Sequence, residues 1–161
     1  MIKKAQQIAR EAHAGQKYGD NPYFDYHIEG VVANLKKNSR EYLGKHYQHY
    51  WLSSEITKDS IIAAAYLHDA IEDGKTTEST TELIRGNFGE LTVKVVFGMT
   101  KMPNDEYADY IIGMNHPALI AVKLADLDFN IAESEGCKIN SYQKQRLQKY
   151  KLARHILMPR A

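Results

Sequence analysis

The stretch AAAYLHDAIEDGKTT places a histidine and three acids directly after an apolar run. The spacing predicts a helix over residues 60–73, in which His68 and Glu72 share one face and Asp69 and Asp73 share the next. Adjacent histidine and aspartate supply one nitrogen and one oxygen ligand, a mixture that suits Mn²⁺, Fe²⁺ or Zn²⁺. Glu72 and Asp73 would then activate or position a water molecule. The alternative is a helix end with solvated acids, because motif matches of this length also arise by chance.

A further acid stands at the end of a predicted core helix. Residues 118–125 are apolar except for Lys123, Asp126 follows them, and Asn130 lies one turn later on the same face. An isolated buried carboxylate is strongly unfavourable, so Asp126 must be paired, hydrogen-bonded or bound to a metal. Two interpretations stay open, a metal ligand and a structural aspartate bonded to a neighbouring helix.

Several histidines lie elsewhere in the chain. His27 follows a loop that holds Lys17 and Tyr18. A lone histidine is more often a half-buried structural residue than a ligand, so His27 alone decides nothing. His46 and His49 have helical spacing, but no acid lies within a helical turn of them, and we interpret them as surface residues.

The composition indicates one soluble globular domain over residues 1–161, with 43% hydrophobic and 25% charged residues. A net charge of +1 gives no field that would attract nucleic acid, and no apolar run is long enough to span a membrane. One cysteine excludes an internal disulfide, and with no signal peptide a reducing cytoplasm is the expected compartment. The sequence leaves open both a monomer and a homo-oligomer.

The elements that must position these residues are helical, and no run of alternating β-branched residues suggests a sheet. We expect a loop over residues 15–25 and only weak periodicity over 38–51. Thr57 or Asp59 would cap the helix that carries His68, and Gly74 would end it. The predicted fold class is all-α, a single-domain helical bundle. Its predicted helices cover residues 1–14, 26–35, 60–73, 80–88, 91–99, 105–114, 117–135 and 141–157.

The order His27, His68–Asp69, Asp126 resembles the H…HD…D pattern of the HD-domain metal-dependent phosphohydrolases. Five stretches resemble one branch of them, the (p)ppGpp hydrolase domain of RelA/SpoT enzymes and small alarmone hydrolases. They are AREAHAGQKYGDNPYFDYHIEGVVANL, AAAYLHDAIEDGKTT, FGELTVKVVFGMTK, AVKLADLDFNIAE and RLQKYKLARHIL. This resemblance implies an HD-type bundle whose four metal ligands are His27, His68, Asp69 and Asp126, with Mn²⁺ as the metal.

The same resemblance implies the substrate side of the site. Glu72 and Asp73 match the family's ED pair, which assists attack by water on the 3′-pyrophosphate of (p)ppGpp, giving GDP or GTP and pyrophosphate. Asn130 matches a residue that contacts the nucleotide, and Tyr150 matches a tyrosine near the phosphates. Lys17 lies in the basic loop segment that flanks the pocket.

The chain departs from the family at positions that face the substrate. Tyr18 stands where the family has arginine, so one cation is missing, although a tyrosine could stack on a base. Other differences are Ile28, Gly74, Leu127, Asp128 and Phe129, and residues 38–51 are interpreted as an insertion. Two other functions stay open, hydrolysis of another nucleotide (a dNTP, a dNMP or NADPH) and a non-catalytic nucleotide-binding or antitoxin-like module. A structural helical domain with coincidental motifs is the third alternative.

Overall fold

The computed structural model describes residues 1–72, 77–136 and 140–161, with residues 77–79 described by their backbone only. α-Helices dominate this part of the chain and confirm the predicted all-α class. Their bounds are α1 Ile2–Ala12, α2 Glu29–Leu43, α3 Glu55–Leu67, α4 Thr77–Asn87, α5 Glu90–Met99, α6 Tyr107–Gly113, α7 Pro117–Glu135 and α8 Ser141–Leu157. Short π-helical turns cover Phe24–Ile28 and Gln48–Leu52, and 3₁₀ turns cover Gly44–His46 and Met158–Arg160.

Helix α7 is the central element of the bundle. Its residues 118–122, 124 and 125 are all buried, and it packs against α2, α3, α5 and α8. Pro117 occupies its first turn, where the missing N–H would have no helical partner. A helix that is apolar on nearly every side must be surrounded, so the other helices enclose it. Asp126 follows this apolar run and is therefore held in the interior.

Helices α2 and α7 approach each other closely at Gly30. A Cβ atom at this position would lie 2.2 Å from Cε2 of Phe129, a distance that no real contact allows. Glycine thus permits the two helices to meet. The π-helical turn that carries His27 leads directly into α2, so this contact brings His27 towards the middle of α7.

Helix α3 differs from the prediction at both ends. Ser54 caps it, accepting a hydrogen bond from the N–H of Thr57 at 3.2 Å, so the prediction that Thr57 or Asp59 forms the cap was wrong. The helix ends at Leu67, and residues 68–72 form turns. Nδ1 of His68 donates to the backbone oxygen of Ala65 at 2.8 Å, which satisfies one carbonyl of the last helical turn.

The predicted pairing of His68 with Glu72 on one helix face was therefore wrong, because no helix continues through them. Asp73 and Gly74, predicted as the last residue and the stop of this helix, lie outside the described residues.

The predicted loop over residues 15–25 contains a small antiparallel hairpin, with strands β1 Lys17–Tyr18 and β2 Asn21–Pro22. Gly19 lies in the turn between them with a φ of +59°, which glycine adopts without strain. The hairpin fixes Tyr18 directly before the turn that carries His27. Residues 38–43 also differ from the prediction, since they continue α2 with a kink at Asn38.

The reason for this longer helix is tertiary. Tyr42 is fully buried and donates a hydrogen bond to Oδ2 of Asp128 at 2.7 Å, and Arg154 pairs with the same carboxylate. Asp128, one of the positions that depart from the resembled family, therefore connects α2, α7 and α8. Among the described helices, none combines the length and the apolar character that crossing a membrane requires.

Candidate metal centre and its cavity

Three buried side chains from separate elements converge at the centre of the bundle. His27 comes from the π-helical turn before α2, His68 from the end of α3 and Asp126 from the middle of α7. Their ligand atoms lie within 4.8 Å of one another, an arrangement that could hold a metal ion. The Nε2 atoms of the two histidines are 3.3 Å apart, and Oδ1 of Asp126 lies 3.6 and 3.8 Å from them.

Asp69 joins this group from the turn after α3. Its Oδ2 atom lies 3.0 Å from Nε2 of His68 and 3.3 Å from Nε2 of His27. The same oxygen accepts a hydrogen bond from the hydroxyl of Tyr23 at 2.6 Å. The structure thus places all four residues predicted as metal ligands together, although Asp69 is less buried than the other three.

The donor set fits a divalent transition metal. The hydrogen bond from Nδ1 of His68 to Ala65 leaves Nε2 as the ring atom that faces the cluster, which is how ligating histidines are commonly oriented. Two imidazole nitrogens with carboxylate oxygens suit Mn²⁺, Fe²⁺ or Zn²⁺. We conclude that this cluster has the chemistry of a metal site.

The electrostatics of the cluster favour a cation. Burial alone would lower the pKa of His68, but the neighbouring carboxylates of Asp69 and Asp126 raise it to about 9. For Asp69, burial alone would raise the pKa, but the neighbouring side chains of His68 and His27 hold it well below its usual range. The acids therefore stabilise positive charge at this position, and a metal would compete with a proton for it.

A cavity of about 370 Å³ opens above the cluster. Glu72 lies on its wall, exposed to solvent, and accepts a hydrogen bond from the N–H of Lys101 at 3.1 Å. Positive side chains and tyrosines line much of the rest. They are Lys101, Lys123, Arg146 and Lys149, with Tyr18, Tyr23, Tyr107, Tyr110 and Tyr150. A negatively charged ligand with a planar group would find complementary partners in this cavity.

Three of the residues predicted to bind substrate lie in this cavity. Tyr18 stacks parallel to His27, with ring centroids 5.2 Å apart, and its hydroxyl donates to Oδ1 of Asn130 at 3.0 Å. Nδ2 of Asn130 donates to Oδ1 of Asp126 at 2.7 Å, so Asn130 is tied to the candidate metal centre. Tyr150 accepts a hydrogen bond from Nε of Arg146 at 3.2 Å.

Lys17 is placed elsewhere. It is exposed on β1 and lines a separate surface hollow beside Arg10, not the cavity above the cluster. Its predicted contact with the substrate stays a prediction. Asp73, the second predicted catalytic acid, lies outside the described residues.

The sequence analysis missed the basic wall of the cavity. Lys101 follows α5, Lys123 belongs to α7, and Arg146 and Lys149 belong to α8, so no local motif unites them. Only Lys123 left a signal, as the one charged residue of an apolar run three positions before Asp126. That spacing places both on one helix face.

The sequence was compared with those of known proteins to identify its relatives. No family model matches the chain. It is 30% identical over 153 residues to "Guanosine-3′,5′-bis(diphosphate) 3′-pyrophosphohydrolase MESH1" from Danio rerio, covering 89% of this chain and 74% of that protein. The MESH1 protein of Xenopus tropicalis is 27% identical over 158 residues, covering 93% of this chain and 78% of that protein.

A third relative is the guanosine-3′,5′-bis(diphosphate) 3′-pyrophosphohydrolase of Aquifex aeolicus, 28% identical over 134 residues. The match covers 78% of this chain but only 16% of that longer protein. The names of these relatives give the same family that the H…HD…D pattern and the five stretches resemble. The chain therefore belongs to the family of MESH1-type guanosine-3′,5′-bis(diphosphate) 3′-pyrophosphohydrolases.

Proposed function

We propose that this protein is a metal-dependent hydrolase that removes the 3′-pyrophosphate of (p)ppGpp to give GDP or GTP and pyrophosphate. The observation that carries the proposal is the cluster of His27, His68 and Asp126 at the base of a cavity walled by cations. The activity for which the relatives are named supports the same substrate.

The proposed metal ligands are Nε2 of His27 and His68 and the carboxylates of Asp69 and Asp126. Mn²⁺ is the ion we propose, because the mixed nitrogen and oxygen donor set suits it and the family resemblance implies it. Such an ion, when bound, acts as a Lewis acid on phosphoryl oxygens and makes water more acidic.

Hydrolysis requires attack by a water oxygen on the phosphorus that is attached to the 3′-oxygen. A bond forms between that oxygen and phosphorus, the bond from phosphorus to the 3′-oxygen breaks, and the 3′-oxygen takes up a proton. Pyrophosphate and a nucleotide with a free 3′-hydroxyl are the products. The chain must therefore hold the pyrophosphate, remove a proton from water and shield the charge that develops.

Glu72 is the residue we propose as the proton acceptor. It lies on the cavity wall, and the N–H of Lys101 binds its Oε2 atom, which orients the carboxylate. Asp73 is proposed as its partner on the basis of the resemblance alone, since it lies outside the described residues.

The cations of the wall are proposed to hold the phosphates. Lys101 follows α5, and Arg146 and Lys149 belong to α8, so two elements supply these cations. A guanidinium such as that of Arg146 can bind phosphate through two N–H groups. The hydroxyl of Tyr150 accepts a hydrogen bond from Arg146 and would orient its guanidinium group. Tyr18 and Asn130 would face the nucleoside, with Lys17 further out on the hairpin.

A substrate panel tests the proposal. Purified protein with Mn²⁺ would be incubated with ppGpp, and in parallel with dNTPs, dNMPs and NADPH, and the products would be separated by ion-exchange chromatography. We expect GDP and pyrophosphate from ppGpp at the highest kcat/KM of the panel. Turnover of another nucleotide without turnover of ppGpp would contradict the substrate, and no turnover at all would favour a binding module.

One observation favours hydrolysis of another nucleotide as the second candidate. Tyr18 replaces the family's arginine and occupies Oδ1 of Asn130 with its hydroxyl. Asn130 also donates to Asp126, so much of its capacity to bind a guanine nucleotide is used within the protein. A nucleotide that needs neither the arginine nor this amide would be tolerated better.

The proposal also includes the cellular compartment and the type of substrate. The single cysteine supports a reducing cytoplasm. The small net charge of +1 supports a free nucleotide rather than nucleic acid as the substrate.

A further inference from the structure

Lys123 is a partly buried cation in direct contact with the candidate metal centre. Its side chain is 12% exposed, and Nζ lies 2.9 Å from Oδ2 of Asp126. The other oxygen of that carboxylate, Oδ1, accepts a hydrogen bond from Nδ2 of Asn130 at 2.7 Å and faces Nε2 of His27 and of His68. The two oxygens of Asp126 therefore have different partners.

Lys123 also contacts the wall of the cavity. Its Nζ atom lies 5.6 Å from the ring centroid of Tyr110, and Asp126, Tyr107 and Tyr110 all line the cavity. An ammonium group thus stands beside the metal ligands and faces the substrate cavity.

We propose that Lys123 is the internal counter-cation of the metal centre, a positioning residue that pairs with Oδ2 of Asp126 and so keeps Oδ1 directed at the histidines and the metal. This inference rests on the proposed metal site and deepens it. In this role, Lys123 lowers the affinity of the site for the metal and keeps the net charge of the metal-bound site positive.

The charges explain why such a residue is useful. Asp69 and Asp126 contribute two negative charges, and Lys123 cancels one of them. With Lys123, a bound divalent ion leaves the centre with a net positive charge, which attracts a phosphate group. Without Lys123, the two carboxylates would neutralise the ion completely, so the metal would bind more tightly and attract phosphate less.

This reasoning makes metal affinity and catalysis change in opposite directions. A lysine that only supported the fold would, when replaced, loosen Asp126 and weaken both. The variant Lys123→Gln separates the two roles, because its amide can still donate a hydrogen bond to Oδ2 while the charge is lost. We expect Lys123→Gln to bind Mn²⁺ about tenfold more tightly and to hydrolyse ppGpp about tenfold more slowly.

The test is isothermal titration of chelator-treated protein with Mn²⁺ alone, followed by kinetics with ppGpp. Lys123→Arg keeps the charge and should retain the Mn²⁺ affinity of the unaltered protein within about threefold. Lys149→Gln is the matched control. It removes another cation from the cavity wall, one that lies 4.1 Å from the ring centroid of Tyr107, and should change Mn²⁺ affinity less than about threefold.

Weaker or unchanged Mn²⁺ binding by Lys123→Gln would overturn the inference. If that variant does not fold, as judged by circular dichroism, Lys123→Met is titrated with the same criteria. Should Lys123→Met also fail to fold, the role is structural and the inference is wrong. Absence of ppGpp turnover by the unaltered protein would contradict the proposed function only, because the Mn²⁺ affinities of the variants would still decide the role of Lys123.

Discussion

His68→Ala should abolish the stabilisation of this protein by Mn²⁺. His68 is fully buried, and its Nε2 atom faces His27, Asp69 and Asp126. His27, the adjacent pair His68 and Asp69, and Asp126 are far apart in the sequence, so an unfolded chain does not present them together. A ligand that binds only the folded state raises the free energy of unfolding by RT ln(1 + [L]/Kd).

The expected magnitude follows from this relation. At a Mn²⁺ concentration one hundred times the dissociation constant, the stabilisation is about 2.7 kcal/mol. For a chain of 161 residues, each kcal/mol raises Tm by about 2–4 °C, so Mn²⁺ should raise Tm by about 5–11 °C. Loss of one nitrogen donor should weaken binding at least about 100-fold. At the same Mn²⁺ concentration the shift of Tm for His68→Ala then falls below about 2 °C.

Differential scanning calorimetry with and without Mn²⁺, after treatment with a chelator, measures this difference. The variant itself should be less stable by about 2–4 kcal/mol, because it loses the hydrogen bond to Ala65 and leaves a cavity, so the shift and not Tm alone is compared. His155→Ala, at an exposed position of α8, is the control and should keep the full shift. An equal shift in His68→Ala and in the unaltered protein would refute the assignment of the metal site.

Three further variants test other parts of the account. Glu72→Gln should lower kcat at least about 100-fold, measured with ppGpp, and keep the Mn²⁺-induced shift of Tm; an unchanged kcat would exclude Glu72 as the proton acceptor. Gly30→Ala should lower the free energy of unfolding by about 1–3 kcal/mol in a urea titration, because its Cβ would meet the ring of Phe129; an unchanged midpoint would mean that α2 and α7 are not so close. Tyr18→Arg should lower KM for ppGpp about tenfold by restoring a cation and releasing Asn130; a higher KM would show that Tyr18 itself binds the substrate.

His68, Asp69 and Asp126 could be singled out from the sequence because each stands out locally, whereas His27 was added only by the family resemblance. His68 and Asp69 interrupt an apolar run, and Asp126 ends another, so burial of polar groups already required partners for them. Helices α7 and α8 have the predicted bounds, because Pro117 occupies the first turn of α7 and Asn140 caps α8, which begins at Ser141. Local rules are sufficient where the signal is local.

The sequence failed where long-range contacts decide the structure. The apolar pattern continues past Leu67, but the chain turns there so that His68 and Asp69 both face the cluster. Tyr42 extends α2 because it meets Asp128 on another helix, which no periodicity within residues 38–51 reveals. The basic wall of the cavity could not be predicted for the same reason, because its cations come from separate elements.

Residue types also mislead when their partners are unknown. Tyr18 could be recognised as a substitution for arginine, but its stacking on His27 and its bond to Asn130 required the folded chain. Lys123 was visible only as an exception in a core helix, and its contact with Oδ2 of Asp126 gives that exception a reason.

The most direct test of the account is hydrolysis of ppGpp with Mn²⁺ in water enriched in ¹⁸O, with the products analysed by mass spectrometry. Attack on the phosphorus next to the 3′-oxygen predicts that one ¹⁸O atom appears in pyrophosphate and none in GDP. Label in GDP, or release of single phosphates in place of pyrophosphate, would contradict a 3′-pyrophosphohydrolase built on the cluster of His27, His68, Asp69 and Asp126.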